Sequence, residues 1–209
     1  MARIYLVRHG ESEANREGRY QGRRDSPLSS LGHRQTAALA TALSSSNAAC
    51  VVSSPLRRCV ETAVPVAAGL GVALACDDRL IEIAHGTWEG RLRAELERED
   101  AARVHAWRTA PQRVRFDGGE SLNDVEARWR SFAASPAVAT DAVVVTHDVL
   151  VRLAILAATN RPLAQLWEVE VENAAYAVFN INDGRWQLVH ECCTAHLNGL
   201  RADVNRQAL

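Results

Sequence analysis

The chain has 209 residues, 47% hydrophobic and 23% charged, proportions of a globular protein long enough to bury a sizeable core. A formal net charge of −1 supplies no bulk field for nucleic acid or an anionic membrane surface, and neither partner is expected. The sequence contains no lysine, which excludes a Walker-type phosphate loop and Schiff-base chemistry, since both need a lysine amine.

Residues 3–8 read as a buried strand that breaks off into Arg8-His9-Gly10, followed by a long polar loop through Pro27. Ser29 or Ser30 can cap a helix over 31–45, with Leu31, Ala38, Leu39 and Leu43 on one face. A short strand at 49–52 leads into Ser53-Ser54-Pro55 and a helix reaching Gly69, which Pro65 is expected to kink or shorten. Residues 72–75 form a third strand. The charged stretch 91–116 reads as helical, and Gly118-Gly119 as a turn before a helix over 121–133. The run 142–146 is the most strand-like in the chain and passes into His147 and an apolar helix from Val149 to about Ala158. Two further strands, near 174–181 and 185–191, flank an Asn182-Asp183-Gly184 hairpin turn.

Strands alternating with helices indicate an α/β three-layer sandwich, its mostly parallel sheet flanked by helices, with the terminal hairpin as an antiparallel edge. No internal repeat, low-complexity segment or linker divides the chain, so 1–209 reads as a single domain. The tail after Thr194 is polar and is expected to be partly disordered or to pack on a partner. Five cysteines at 50, 59, 76, 192 and 193 form no disulfide framework, and the N-terminus carries no apolar signal core. Reduced thiols in a cytoplasm are the expectation. Cys192-Cys193 between His190 and His196 invites a zinc reading, but adjacent cysteines at a strand end share a tetrahedral ion poorly.

Two strands end in a histidine at the same kind of position, where α/β sheets bind ligands. Arg8 offers a planar fork of donors suited to phosphate, and His9 a neutral nitrogen nucleophile beside it. Ser53-Ser54-Pro55-Leu56-Arg57-Arg58 brings hydroxyls and guanidinium groups to a helix start, which already favours anions. If they converge, Arg8, Arg58, His9 and His147 make a cationic, metal-independent phosphate site, and Glu82 supplies a carboxyl able to exchange protons with a leaving oxygen.

Here the chain resembles the histidine phosphatase superfamily, also called phosphoglycerate mutase-like, over nearly its whole length. Leu6-Val7-Arg8-His9-Gly10-Glu11-Ser12 with Asn15 looks like the family's nucleophile motif, followed by Gln21-Gly22, Asp25, Pro27-Leu28, Gly32 and Gln35. Ser53-Ser54-Pro55-Leu56-Arg57-Arg58 with Thr62-Ala63 resembles its second arginine motif, in which Arg58 rather than Arg57 takes the functional position. Leu80-Ile81-Glu82 with Gly86 and Trp88-Glu89-Gly90 resembles the proton-donor segment, and Gly118-Gly119-Glu120-Ser121 and Val144-Val145-Thr146-His147 complete the series.

The resemblance implies catalytic roles for His9, Glu82, Arg8, Arg58 and His147, with Asn15, Gln21, Gly22 and Asp148 lining the substrate side, and neither metal nor cofactor. His9 would take the phosphoryl group from a small phosphorylated substrate, in the manner of a histidine acid-type phosphomonoesterase. The segment around 91–120 would cover the pocket like a lid. Asp148-Val149 departs from the glycines usual after the second histidine; Asp148 either bonds His147 or caps the helix. Glu61 replaces a common glutamine and Cys59 a common alanine. His85 is either a pocket residue or a polar surface residue. Arg57 reads as a solvated or ion-paired neighbour, Glu120 as a helix N-terminal carboxylate, and Arg103, Arg108, Arg113 and Arg115 as a solvated face more than an anion selector. Trp88 and Trp107 read as packing residues. A phosphatase fits better than a bisphosphoglycerate-dependent mutase, because the 81–90 stretch looks like the phosphatase branch; a non-catalytic phosphate-binding regulator is the third reading. A homodimer stays open.

Overall fold

In a computed structural model that describes residues 1–203 and 207–208, the hydrophobic pattern resolves into one six-stranded sheet. In chain order the elements are β1 (Ala2–Arg8), α1 (Glu13–Glu17), α2 (Ser30–Leu43), β2 (Cys50–Ser53), α3 (Arg57–Leu70), β3 (Leu74–Cys76), α4 (Arg93–Glu99), α5 (Ala101–Thr109), α6 (Leu122–Ala133), β4 (Ala142–Thr146), α7 (Asp148–Ala158), β5 (Tyr176–Asn182) and β6 (Arg185–Cys193). The strand order is β3-β2-β4-β1-β5-β6. The first four strands run parallel, and β5 and β6 add the antiparallel edge.

Period-two alternation sorts the side chains into two cores. Val7, Val51, Val143 and Val145 pack under Leu39, Leu43, Ala63 and Val66 of α2 and α3. Ile4, Leu6, Val52 and Val144 face the other way, onto Leu150, Leu153 and Ala154 of α7, with Trp129 and Phe132 of α6 in the same core. The central strands are therefore covered on both faces, which is why β4 is buried throughout. Turn chemistry fixes the edge: Asp183 (φ 49°) and Gly184 (φ 73°) are both left-handed, as a two-residue hairpin requires.

Several expectations need correction. The loop before Pro27 contains α1, capped by Ser12, whose hydroxyl accepts from the Asn15 N–H. Ser29, not Ser30, caps α2, its hydroxyl accepting from the Gly32 N–H at 3.0 Å. Pro65 does not shorten α3, which continues to Leu70. The third strand is shorter and later than expected, because only Leu74–Cys76 can pair with the short β2. The 91–116 stretch splits into α4 and α5 at Asp100, then a short 3₁₀ turn at Pro111–Arg113. Beyond Thr194, Ala195–Leu197 forms a turn, and Leu197, Gln207 and Ala208 are buried against the chain itself while Asn198, Gly199, Arg201 and Asp203 are exposed. The expectations for residues 204–206 and 209 lie outside the described residues.

Candidate active site

The ends of β1, β2 and β4 meet at one edge of the sheet. The His9 N–H donates to Thr146 O (3.0 Å) and the Ser54 N–H to Val145 O (2.9 Å), so backbone bonds lock the three strand ends together. The turn after β1 is held from the helix side: the Gly10 N–H donates to Thr62 Oγ1 (3.0 Å) and the Glu11 N–H to Gln35 Oε1 (2.8 Å). Gly32 permits this approach; a Cβ there would lie 2.0 Å from Glu11 O.

His9 is buried, with its Nδ1 2.7 Å from Gly10 O. A carbonyl only accepts, so Nδ1 carries the proton and the neutral ring leaves its lone pair on Nε2. The Arg58 Nε–H donates to that nitrogen at 3.2 Å. Burial first, then the charges of Arg58 and Arg8, hold His9 well below the usual imidazole range, so the ring stays neutral. Arg58 is itself aimed by two carbonyls, Gly22 O (2.9 Å) and Arg24 O (3.1 Å).

Arg8 lies opposite. Its Nη1 donates to Val171 O (2.8 Å) and sits 3.1 Å from Asp148 Oδ1; its Nη2 donates to Gln207 Oε1 (2.6 Å). The Arg8 Nε is buried and has no hydrogen-bond partner among the described residues. Glu82 is buried, accepts the Ile83 N–H at 2.8 Å, and is pushed up to about 7, mainly by burial and next by the Asp148 charge. Such a carboxyl can both give and take a proton near neutral pH.

Arg8, His9, Asn15, Gln21, Gly22, Arg58, Glu82, His85 and Asp148 all line one cavity of about 20 Å³, room for about one water. Eight of the nine expected site residues therefore converge there. His147 does not line it. Its ring stands 5.2 Å from the His9 ring, with Nε2 2.8 Å from Ser54 Oγ and 3.4 Å from Cys59 Sγ. Burial, followed by Arg58 and His9, keeps it neutral too.

Asp148 follows neither of its two expected courses: its carboxylate binds Arg8 and Arg152, and the N-cap of α7 is His147. His85 is a pocket residue, buried against Tyr20, Trp107 and Phe116 and lowered by burial to about 3, with both ring nitrogens unpaired among the described residues. Trp88 and Trp107 pack in that aromatic group. Glu120 does more than face a helix start: it accepts the Ala84 N–H (3.0 Å) and pairs with Arg23 and Arg128, bracing the loop that carries Glu82. Glu61 accepts the Leu28 N–H and pairs with the exposed Arg57. Arg103, Arg108 and Arg115 pair with Asp117, Glu97 and Asp124, as an ion-paired surface would.

Sequence reading missed Arg152, Asn173 and Gln207. Asn173 donates to His9 O (3.3 Å) and accepts from Gln207 Nε2 (2.7 Å), so Gln207 and Ala208 border the site. No motif marks these residues; only tertiary contact brings them in.

Comparison with known proteins agrees with this geometry. Residues 4–194 match the family model of the histidine phosphatase superfamily, branch 1. Phosphoserine phosphatase 1 of Hydrogenobacter thermophilus is 34% identical over 209 residues, covering 99% of each chain. The adenosylcobalamin/alpha-ribazole phosphatase of Salmonella typhimurium is 32% identical over 185 residues, 87% of this chain and 92% of that one. Among solved structures, Bacillus stearothermophilus YhfR superposes with a TM-score of 0.90 at 28% identity, over 94% of this chain and 100% of that one. A match along almost the whole chain, joined to the meeting of His9, Arg58 and Glu82 at the sheet edge, places this protein in the histidine phosphatase superfamily.

Proposed function

We propose that the chain is a metal-independent phosphatase that hydrolyses small organic phosphomonoesters through a phosphohistidine at His9. The observation that carries this reading is the His9 ring: Nδ1–H is fixed on Gly10 O, and the Nε2 lone pair, which accepts from Arg58 Nε at the cavity, becomes free to attack when that guanidinium turns its N–H to a phosphoryl oxygen. Nε2 attacks phosphorus and the ester P–O bond breaks, its electron pair leaving with the alkoxide, which takes the Glu82 proton. The Gly10 carbonyl stabilises the positive charge that develops on the ring. Arg58 and the unpaired Arg8 Nε neutralise the phosphoryl oxygens, the charge stabilisation on which phosphoryl transfer depends. His147 reaches a phosphoryl oxygen only by exchanging its Ser54 bond. In the second half, the Glu82 carboxylate takes a proton from water, the oxygen attacks phosphorus, and the P–N bond breaks to return neutral His9 and inorganic phosphate.

The relatives named above act, by name, on phosphoserine and on alpha-ribazole phosphate, and a solved mycobacterial neighbour is a glucosyl-3-phosphoglycerate phosphatase. Small phosphorylated metabolites with polar leaving alcohols are therefore the class to test, phosphoserine first. The experiment is a panel of such esters run with and without bisphosphoglycerate, paired with acid-labile, base-stable ³²P labelling of the protein. Hydrolysis with label on the wild type and none on His9→Ala is the expected result. Phosphoryl exchange between phosphoglycerates without release would favour a mutase, and absence of both label and turnover would overturn the reading.

A further inference from the structure

We propose that Asp148 and Arg152 are positioning residues: the buried Asp148 carboxylate, backed by Arg152, fixes the phosphate-facing arginine Arg8 and opposes its charge beside Glu82. The inference rests on the phosphatase reading for its chemistry, but the contacts behind it are independent of that reading. Asp148 and Arg152 lie one turn apart on α7, so their side chains share a face. Asp148 Oδ2 accepts from Arg152 Nε at 2.7 Å, and Oδ1 from Arg152 Nη2 at 3.2 Å while lying 3.1 Å from Arg8 Nη1. Arg152 is anchored in turn: Nη1 donates to Leu166 O and Val169 O, and the guanidinium lies over the Trp167 ring at 5.0 Å. Two turns of backbone therefore hold the far side of the carboxylate, and Arg8 meets a fixed surface.

A buried Arg–Asp–Arg set is a weak source of stability, because three ions must leave water to form it. Its geometry suits a different purpose. Without Asp148, the charged groups lining the cavity would be Arg8, Arg58 and Glu82, with Arg152 unpaired behind them. The titratable and charged groups that act on Glu82 are Asp148 from α7, Arg58 and Cys59 from α3, Arg128 from α6 and Arg8 from β1, and the neutral rings of His9 and His85 share its cavity. Of these charges, Asp148 is the one that favours a protonated Glu82, whereas Arg58 and Arg128 oppose it. Positioning Arg8 and keeping the acid protonated are thus served by one side chain.

The test uses the full chain and three isolated variants: Asp148→Asn, Arg152→Gln and Arg152→Lys. Inorganic phosphate is titrated calorimetrically into each, and kcat/KM for β-glycerophosphate is followed against pH. Arg152→Gln should weaken phosphate binding by about tenfold, the worth of one well-aimed charged hydrogen bond, with the basic limb of the pH profile at or above its wild-type position. Arg152→Lys should recover part of that affinity. Asp148→Asn keeps an amide oxygen for Arg8 and takes a negative charge away from the phosphate site, so it should weaken phosphate less than Arg152→Gln does while shifting the basic limb down by about one pH unit, the low end for a close like charge. Unchanged phosphate affinity in Arg152→Gln overturns the inference, even if Asp148→Asn fails to fold, and so does a folded Asp148→Asn with an unshifted limb. Failure of the phosphatase reading looks different: wild type that binds phosphate but neither hydrolyses esters nor labels His9.

Discussion

Glu82→Gln should make the protein more stable and less active at the same time, and the two effects can be separated by pH. The carboxyl is pushed from its ordinary 4.5 up to about 7. Below pH 4.5 it is protonated in folded and unfolded chains alike and costs nothing. Between 4.5 and 7 only the unfolded chain ionises, so native stability is lost as pH rises; above 7 both forms are ionised and the loss is complete. The gap between the two values corresponds to roughly 3 kcal/mol. Gln keeps the Ile83 N–H bond and the shape without the charge, so its advantage should be near zero at pH 4.5 and full at pH 8.5. For a chain of this length that is about 6–12 °C in Tm at the higher pH. Turnover of alkyl phosphates should fall roughly 10²–10⁴-fold, the usual contribution of general acid–base catalysis. p-Nitrophenyl phosphate should lose less in its first turnover, read by rapid quench, because its leaving group hardly needs a proton. A Tm difference that is the same at both pH values would refute the raised carboxyl. Equal losses on the two substrates would remove Glu82 from the acid role.

Arg58→Ala should cost far more kcat/KM than Arg57→Ala, since Arg58 is buried against His9 Nε2 while Arg57 is exposed and paired with Glu61; equal losses would mean that both bind phosphate. Activity should persist in excess EDTA, because the guanidinium groups of Arg8 and Arg58 supply the cations at the cavity, and loss with chelator followed by recovery with zinc or magnesium would refute this. Gly32→Ala should lower stability by about 1–3 kcal/mol, read as a falling denaturation midpoint, because the added Cβ meets the Glu11 carbonyl at 2.0 Å.

The parts of this molecule legible in its sequence are those where local chemistry and tertiary structure ask for the same residue. β4 reads as a strand because Ala142-Val143-Val144-Val145-Thr146 is β-prone and buried on both faces. The Asp183-Gly184 turn reads as a hairpin because its backbone needs left-handed residues. Arg8 and His9 are marked by the break at the end of β1, whereas Arg58 over Arg57 and Glu82 as the proton donor are read from their resemblance to family motifs. The third strand starts two residues later than the sequence suggests, because its boundary depends on how far β2 can pair and not on the residues of 72–76 themselves. The 91–116 stretch shows charge but not its break, since the divide at Asp100 is set by packing of Leu96, Val104 and Trp107 beneath.

What the sequence does not mark is the far wall of the site. Ala174 sits at φ 58°, a conformation that costs a non-glycine residue about 1–3 kcal/mol. Its N–H donates to both Arg8 O and His9 O, so the strain is held by the nucleophile's own backbone. An alanine gives no warning of this, because nothing in its chemistry asks for a left-handed turn. The same is true of Val171, whose carbonyl aims Arg8, and of Arg152, which appears in the sequence as one more arginine on an apolar helix. Groups that react are recognisable by type, since few side chains attack phosphorus or pass a proton. Groups that aim them work through carbonyls, a backbone twist or a buried ion pair, which many residues could supply. The catalytic half of such a pocket is therefore readable along the chain, and the half that holds it in register becomes visible only when the 166–175 segment is folded against β1.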